Sequence, residues 1–150
     1  MIKIKVHNAA QADQTVIAAI VGFLLDHLDD YGDPEPQIEN AVLHSLGMKG
    51  SAEGLLLTAH DASTLVGAAV VNKTGMSGYI PENQLVYLSI HRSYRRKGVG
   101  EKLMKAVMKH CDGDIALHVD RNNPARHLYS KLGFASPYLE MRWKRDNHFY

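Results

Sequence analysis

The chain of 150 residues has one cysteine, no long apolar run and almost no net charge. The lone cysteine, Cys111, cannot form an internal disulfide and supplies no cysteine-based metal site. No apolar run approaches the roughly 18 residues that a membrane span needs, and residues 1–10 lack the apolar core of a signal peptide. These absences predict a cytoplasmic protein that does not bind membranes.

Histidine is the remaining abundant metal-ligating residue, but its nine copies are scattered along the chain. No H-E-x-x-H motif occurs, and no two histidines stand four residues apart, the spacing that places both on one helix face. The sequence therefore predicts no metal site.

The near-neutral charge hides an asymmetry between the two halves of the chain. Seventeen Lys and Arg face sixteen Asp and Glu, which argues against a strongly basic nucleic-acid-binding protein. Residues 1–72, however, hold three basic and nine acidic groups, whereas residues 73–150 hold fourteen basic and seven acidic groups. Such a split predicts partners of opposite charge, and these need not be macromolecules.

Apolar periodicity and turn residues predict one mixed α/β domain over residues 1–150. The expected element order is β-α-α-β-β-β-α-β-α-β. The expected helices are 13–28, 35–46, 98–110 and one that begins at Asn123-Pro124 and ends before Gly133. The expected strands are 2–6, 54–59, 65–71, 84–90 and 115–119, with one or two more from Phe134 onward, where Leu139, Met141 and Trp143 alternate.

Residues 91–100, HRSYRRKGVG, lie between the predicted strand 84–90 and an amphipathic helix. A helix N-terminus exposes unpaired N–H groups, and glycines there let the backbone approach an anion closely. Arg95, Arg96 and Lys97 add positive charge. The segment predicts a pyrophosphate-binding loop, although a solvated basic turn has the same composition. It is neither a Walker A loop nor a dinucleotide motif, because the last glycine of the latter is replaced by Leu103.

Two motifs carry a resemblance to a known family. Arg95-x-x-Gly98-x-Gly100 resembles the acyl-CoA-binding signature of the GNAT acyltransferase superfamily. Residues 122–134, from Asn122 to Phe134, resemble the family's second motif, one helix and one strand downstream. The resemblance implies a mostly antiparallel mixed sheet flanked by helices, with two central strands that splay apart to form an acyl-CoA cleft.

The resemblance also implies acetyl-CoA as co-substrate. Its pyrophosphate would lie on the backbone amides of residues 96–101, and its pantetheine arm would pair with residues 88–90. The implied cofactor-binding residues are Leu88, Ser89, Ile90, Arg95, Arg96, Lys97, Gly98, Val99, Gly100, Glu101, Asn122, Ala125 and Tyr129. Arg126 and Lys131 are either phosphate contacts or a solvated helix face.

By the same resemblance, an acetyl group passes directly to an amine, and Tyr129 matches the position that protonates the departing thiolate. Tyr129 could equally be a core residue of an amphipathic helix. Many family members have a glutamate base where this chain has Gln84, so Glu82 is the candidate base, acting through a water. The alternative for Glu82 is a surface residue at the start of a strand.

The resemblance implies that the first two helices and the strand ends line the acceptor site, and in this chain that region belongs to the acidic half. The carboxylates there predict a cationic amine acceptor, although a solubilising helix end would carry the same residues: Asp26, Asp29, Asp30, Asp33, Glu35 and Glu39. His27 and Tyr31 are candidate pocket residues. Dimers are common among the proteins that the chain resembles, and the C-terminal strands are a candidate homodimer interface, but the sequence leaves the oligomeric state open.

Two other classes of function are weighed. A non-catalytic module that binds coenzyme A is favoured by Gln84 and opposed by Tyr129. A nucleic-acid-binding domain is disfavoured because the basic stretch lacks interleaved aromatic residues and any recognised motif.

Overall fold

A computed structural model describes residues 1–146. The chain forms two compact units, Met1–Leu117 and a second that begins at His118. The single domain expected from the sequence stays a prediction.

The first unit is built on one five-stranded mixed sheet. Its strands are β1 (Ile2–His7), β2 (Leu55–Asp61), β3 (Thr64–Lys73), β4 (Asn83–Ile90) and β5 (Ile115–Leu117). They lie in the order β1-β2-β3-β4-β5; the first four pair antiparallel, and β5 is parallel to β4. The helices of this unit are α1 (Gln14–His27), α2 (Glu35–Ser45) and α3 (Val99–His110). The predicted α/β class and the mostly antiparallel mixed sheet are confirmed.

The helices cover the two faces of the sheet. Leu56 and Val70 pack into the buried core that α1 and α2 form. Gly67 lies on the other face, where a Cβ atom would stand 3.3 Å from Leu103 of α3 and 3.1 Å from Ile90. Alternate residues of a strand face opposite sides, so a single apolar strand such as β3 serves both cores. Each fully buried aliphatic side chain contributes roughly 1.5–3 kcal/mol to this packing.

Strand β4 changes its pairing midway. Tyr87 lies opposite Val70 and Leu85 opposite Val71, so Val86 is a one-residue bulge. On its other side, β4 pairs with β5 only over 83–85. Within residues 1–146 the sheet places no strand beside 86–90 on that side. A bulge bends and twists the strand that carries it, which accounts for the early end of this pairing.

In its described residues, 118–146, the second unit contains one helix, α4 (Ala125–Lys131). The Asn123 side chain accepts a hydrogen bond from the Ala125 N–H at 2.9 Å. The helix begins at Ala125, one residue after Pro124, which the sequence predicts as its first residue. Gly133 follows the helix with a φ of 97°, the left-handed conformation that terminates helices and that glycine adopts without strain.

The C-terminal strands predicted from Phe134 onward are wrong for the described residues, since 134–146 contain no strand. Leu139, Met141 and Trp143 alternate as expected but are 92%, 90% and 71% exposed. Alternation marks a strand only where a neighbouring backbone supplies hydrogen bonds. Residues 147–150 lie outside the described part, and a homodimer contact through this segment stays a prediction.

Two smaller corrections concern the strands near the site. β5 ends at Leu117, two residues before its predicted end. Glu82 does not belong to β4, which begins at Asn83. In the part of the chain that the structure describes, no helix combines the length and the apolar character that crossing a bilayer requires.

Candidate active site

The basic loop ends at a helix start that no side chain caps. Gly98 is the N-cap residue of α3, with a φ of 82°, and residues 1–146 provide no side-chain hydrogen bond to this cap. Because a Cβ atom at Gly98 would meet nothing within 4 Å, glycine is needed there for its backbone conformation rather than for space. Arg96 also has positive φ, 63°. The first amides of α3 have no partner within the helix, and they directly follow the exposed residues Arg96 and Lys97.

Several hydrogen bonds fix the loop to the sheet. The His91 N–H donates to the Val66 carbonyl at 2.8 Å, and the Tyr94 N–H donates to the His91 carbonyl at 2.8 Å. The Tyr94 hydroxyl donates to the Asp61 carboxylate at 2.8 Å, which raises the pKa of Tyr94. These contacts hold the loop at the end of β4.

The Arg95 guanidinium is turned away from the amides of the loop. Its Nε donates to the Ile90 carbonyl at 3.1 Å, its Nη1 to Asp29 Oδ2 at 2.9 Å, and its Nη2 to the His27 carbonyl at 2.7 Å. All three nitrogens are thus occupied by the end of β4 and the end of α1. The structure uses Arg95 to anchor the loop, and its predicted role as a cofactor-binding residue stays a prediction.

Asp29 receives a second arginine. Arg92 donates to Asp29 Oδ1 through Nε at 3.0 Å and through Nη2 at 2.6 Å, and its Nη2 also contacts the Asp26 carbonyl. The two arginines hold the pKa of the Asp29 carboxyl below its ordinary value. We call Asp29, Arg92 and Arg95 the Asp29 clamp. Sequence reasoning missed it, because more than sixty residues separate the acid from its arginines.

His27 lies under the loop rather than in an open pocket. Its ring stacks on His91 at 4.2 Å between centroids and contacts Phe23 at 4.7 Å. Its Nδ1 accepts the Arg92 N–H at 3.3 Å. Burial, followed by the nearby His91 and Arg92, lowers the pKa of His27, which favours the neutral ring.

The carboxylate of Glu82 is engaged on both oxygens. Oε2 accepts the Ser77 hydroxyl at 2.8 Å and the Gly78 N–H at 3.1 Å, and Oε1 accepts the Asp114 N–H at 2.8 Å. These hydrogen bonds, led by the one from Asp114, lower the pKa of Glu82 to about 2. Such a carboxylate ties two loops together and has little affinity for a proton. Its role as base stays a prediction, and this geometry counts against it.

A cavity of about 300 Å³ lies where α1 ends and α2 begins. Its apolar wall includes Leu24, Leu28 and Ile38, and its acidic groups are Asp29 and Asp33. The hydroxyl of Tyr87 on β4 donates to Asp33, and burial together with this hydrogen bond raises the pKa of Tyr87. Both carboxylates of this cavity already accept hydrogen bonds from the protein, Asp33 from Tyr87 and Asp29 from two arginines.

The second unit holds the remaining predicted residues. Tyr129 on α4 is buried, its ring packs edge-on against Phe134 at 5.8 Å, and burial raises the pKa of its hydroxyl to about 12. Arg126 donates to the Arg121 carbonyl at 2.6 Å, so its side chain folds back on its own segment. The Asn122 N–H donates to Asp120. The assigned roles of Asn122, Ala125 and Tyr129 stay predictions.

Comparison with solved structures supports the class of fold. The chain resembles a GNAT family acetyltransferase from Streptococcus pneumoniae TIGR4 with 21% identity and a TM-score of 0.67, over 97% of this chain and 98% of that one. It resembles the aminoglycoside N-acetyltransferase AAC(6')-Iy with 15% identity and a TM-score of 0.68, over 97% and 95%. A ribosomal-protein-alanine N-acetyltransferase from Brucella melitensis biovar Abortus 2308 gives 15% identity and a TM-score of 0.64, over 96% and 99%. At these identities the likeness establishes the fold alone.

The family is established by sequence. The model of the acetyltransferase (GNAT) family matches residues 20–134, well over half of the chain. The chain therefore belongs to the GNAT acetyltransferase family and is an acyltransferase. No curated protein matches it.

Proposed function

We propose that this enzyme moves an acetyl group from acetyl-CoA directly to an amine. The observation that carries the proposal is the uncapped start of α3 at the end of β4, with Gly98 in the left-handed conformation. An anion can satisfy the N–H groups that no side chain takes there, and the helix dipole favours its negative charge. The AAC(6')-Iy structure is a complex with coenzyme A, which fits this reading of the loop.

The residues present fit a coenzyme A thioester in two parts. The amides of residues 96–101 would receive the pyrophosphate, with Arg96 and Lys97 adding charge. The edge of β4 from Val86 to Ile90, which β5 leaves unpaired, would hydrogen-bond the amides of the pantetheine arm. Ser89 on this stretch is buried, and its hydroxyl has no hydrogen-bond partner within residues 1–146.

The chemistry needs two proton transfers of unequal difficulty. An alkylammonium of pKa about 10.4 must lose a proton near pH 7, which corresponds to roughly 4–5 kcal/mol. Release of the thiolate without protonation costs only about 2 kcal/mol near pH 7, because the pKa of a thiol is about 8.5. Because Gln84 and Glu82 are both poor bases here, we propose that the amine proton leaves through water and that Tyr129 protonates the thiolate.

The acceptor in this proposal is a cationic amine with an organic body. The cavity beside α1 supplies an apolar wall and the Asp33 carboxylate, whereas the charge of Asp29 is already used by two arginines. Two of the structural neighbours are named for amine acceptors, an aminoglycoside and a ribosomal-protein alanine. Fewer carboxylates are therefore available to attract the acceptor than the composition of the acidic half indicates.

A panel of amines with acetyl-CoA and detection of free thiol tests the proposal. Cationic amines are expected to release thiol faster than neutral or anionic ones, and Asp33→Asn should raise KM for the cationic acceptors. Tyr129→Phe should lower turnover by tenfold or more while coenzyme A still binds, the scale of a lost general acid. Unchanged turnover in that variant would remove Tyr129 from the mechanism.

A second function is favoured by one observation. Gln84 stands at the family's base position, and the carboxylate of Glu82 is engaged by three donors. A module that binds coenzyme A without catalysis would show this combination. Coenzyme A binding without thiol release from any amine would support the module over the enzyme.

A further inference from the structure

The Asp29 clamp connects two parts of the first unit that are distant in sequence. Asp29 lies two residues after the end of α1, and both its arginines lie in the loop that leads to α3. The arginines also donate to the carbonyls of Asp26 and His27, which are among the last of α1. Cations at a helix C-terminus satisfy unpaired carbonyls and interact favourably with the helix dipole.

The two arginines of the clamp bind acceptors within the protein. Each nitrogen of Arg95 already has an acceptor in the protein, on Ile90, His27 or Asp29. Redirecting that guanidinium to an anion would break three hydrogen bonds at once. The next residue, Arg96, has the left-handed backbone that turns the chain toward the start of α3. The clamp is therefore separated from the start of α3 only by residues 96–98.

Asp29 itself adopts a left-handed backbone conformation, with a φ of 55°. Asp and Asn tolerate this conformation better than most residues with a side chain. The conformation occurs between the end of α1 and the short turn Asp29–Tyr31, at the point where the carboxylate meets both guanidinium groups.

We propose that Asp29 is a positioning residue for the phosphate-binding loop: through Arg92 and Arg95 it holds the amides at the start of α3 in the geometry that binds the pyrophosphate of coenzyme A. The inference rests on the proposed function, because it assumes that coenzyme A is the ligand of the loop. It assigns to the acidic α1–α2 segment a part in cofactor binding, separate from any attraction of the acceptor.

The test compares a ligand that has the pyrophosphate with one that lacks it. Affinities of coenzyme A and of pantetheine are measured by calorimetry and by NMR titration, for the wild type, Asp29→Asn and Asp29→Ala. Loss of the clamp should weaken coenzyme A about tenfold in Asp29→Asn and further in Asp29→Ala, while pantetheine changes by less than about twofold. Asp29→Asn keeps the shape of the side chain and one acceptor oxygen, so it remains informative where Asp29→Ala folds poorly.

Asp30→Asn is the matched control, because it removes the same charge one residue away and neither arginine contacts Asp30 in the described structure. Its affinity for coenzyme A should equal that of the wild type. Equal losses for both ligands in the Asp29 variants would show a general fold defect and overturn the inference. Tighter binding of coenzyme A would overturn it as well, since Asp29 would then compete with the phosphates for the arginines.

Failure of the underlying function has its own signature. A wild-type protein that binds no coenzyme A overturns the proposed function, and the inference with it. A wild-type protein that binds coenzyme A, with Asp29 variants that bind it equally well, overturns the positioning role alone.

Discussion

Helices α1 and α3 begin in opposite ways. The side chain of Asp13 caps α1 by accepting the Val16 N–H at 2.9 Å, whereas α3 begins at Gly98, which has no side chain to offer. A cap of the first kind stabilises a protein by about 1 kcal/mol. Helix α3 forgoes that stabilisation and keeps its N–H groups available beside two exposed cations. The contrast separates a helix start that serves stability from one that, in the proposed function, serves binding.

The largest expected effect comes from giving α3 the residue that caps α1. Gly98→Asp puts a carboxylate where the phosphates would bind, and two like charges 4 Å apart repel by about 4 kcal/mol at an effective dielectric constant of 20. Coenzyme A affinity measured by calorimetry should fall by more than about 100-fold. Gly98→Asn, of the same shape but neutral, should lose much less. Similar losses in both variants would show that shape, rather than charge, matters at this cap.

Removing the cap of α1 should give the reverse pattern. Asp13→Ala should lower the free energy of unfolding by about 1 kcal/mol, or the Tm by about 2–4 °C, because Val16 loses its acceptor. Coenzyme A affinity of the folded protein should stay the same. Thermal unfolding and calorimetry on one sample measure both quantities. A weakened affinity would contradict the division between the two helix starts.

A smaller effect is expected from Lys97, which lies at the start of α3, than from Gly98. Lys97→Ala removes one exposed charge beside the amides, so coenzyme A should bind about threefold more weakly at low salt, and the difference should shrink as salt screens the charge. Lys109→Ala, at the other end of α3, is the control and should change nothing. Equal effects at both positions would mean that net charge, and not its place at the helix start, attracts the ligand.

The smallest effect concerns Glu82, a carboxylate that accepts backbone N–H groups in loops as Asp13 does in a helix. The pKa of Glu82 is lowered from 4.5 to about 2, so its stabilising contribution is complete above about pH 5 and is lost as the pH falls toward 2. Glu82→Gln should therefore unfold at a slightly lower Tm than the wild type near pH 7, and the gap should close toward pH 2. The acidic limb of the pH–rate profile should be unchanged; a shifted limb would restore Glu82 as the base.

Local signals predicted the elements around the site well. Apolar periodicity located α1 and α3 to within one residue, and the left-handed Gly133 ends α4 as its sequence indicates. The phosphate-binding role of the loop at 91–100 rests on its glycines and cations before an amphipathic helix and stays a prediction. Features of this kind depend on neighbours in the chain.

Contacts between distant residues were beyond the sequence. Nothing in the motif shows that Arg95 turns toward Asp29, 66 residues earlier, or that Glu82 accepts an N–H from Asp114. The predicted strand around Met141 failed for the same reason, since a strand depends on a partner that its own alternation does not specify.

The bulge at Val86 has a consequence for reading β4 by counting. Gln84 and Ile90 are six residues apart, an even spacing that places two side chains on one face of a regular strand. Gln84 lies opposite Asn72 and Ile90 opposite Gly67, however, and these two residues of β3 are five apart and face opposite sides. Because of this one extra residue, the residues of β4 before Val86 and those after it pair with β3 in two different registers. Deleting Val86 would leave Tyr87 opposite Val70 and Leu85 opposite Val71, now as consecutive residues, so Leu85 would stay on the α3 side and an even spacing along β4 would again mean one face.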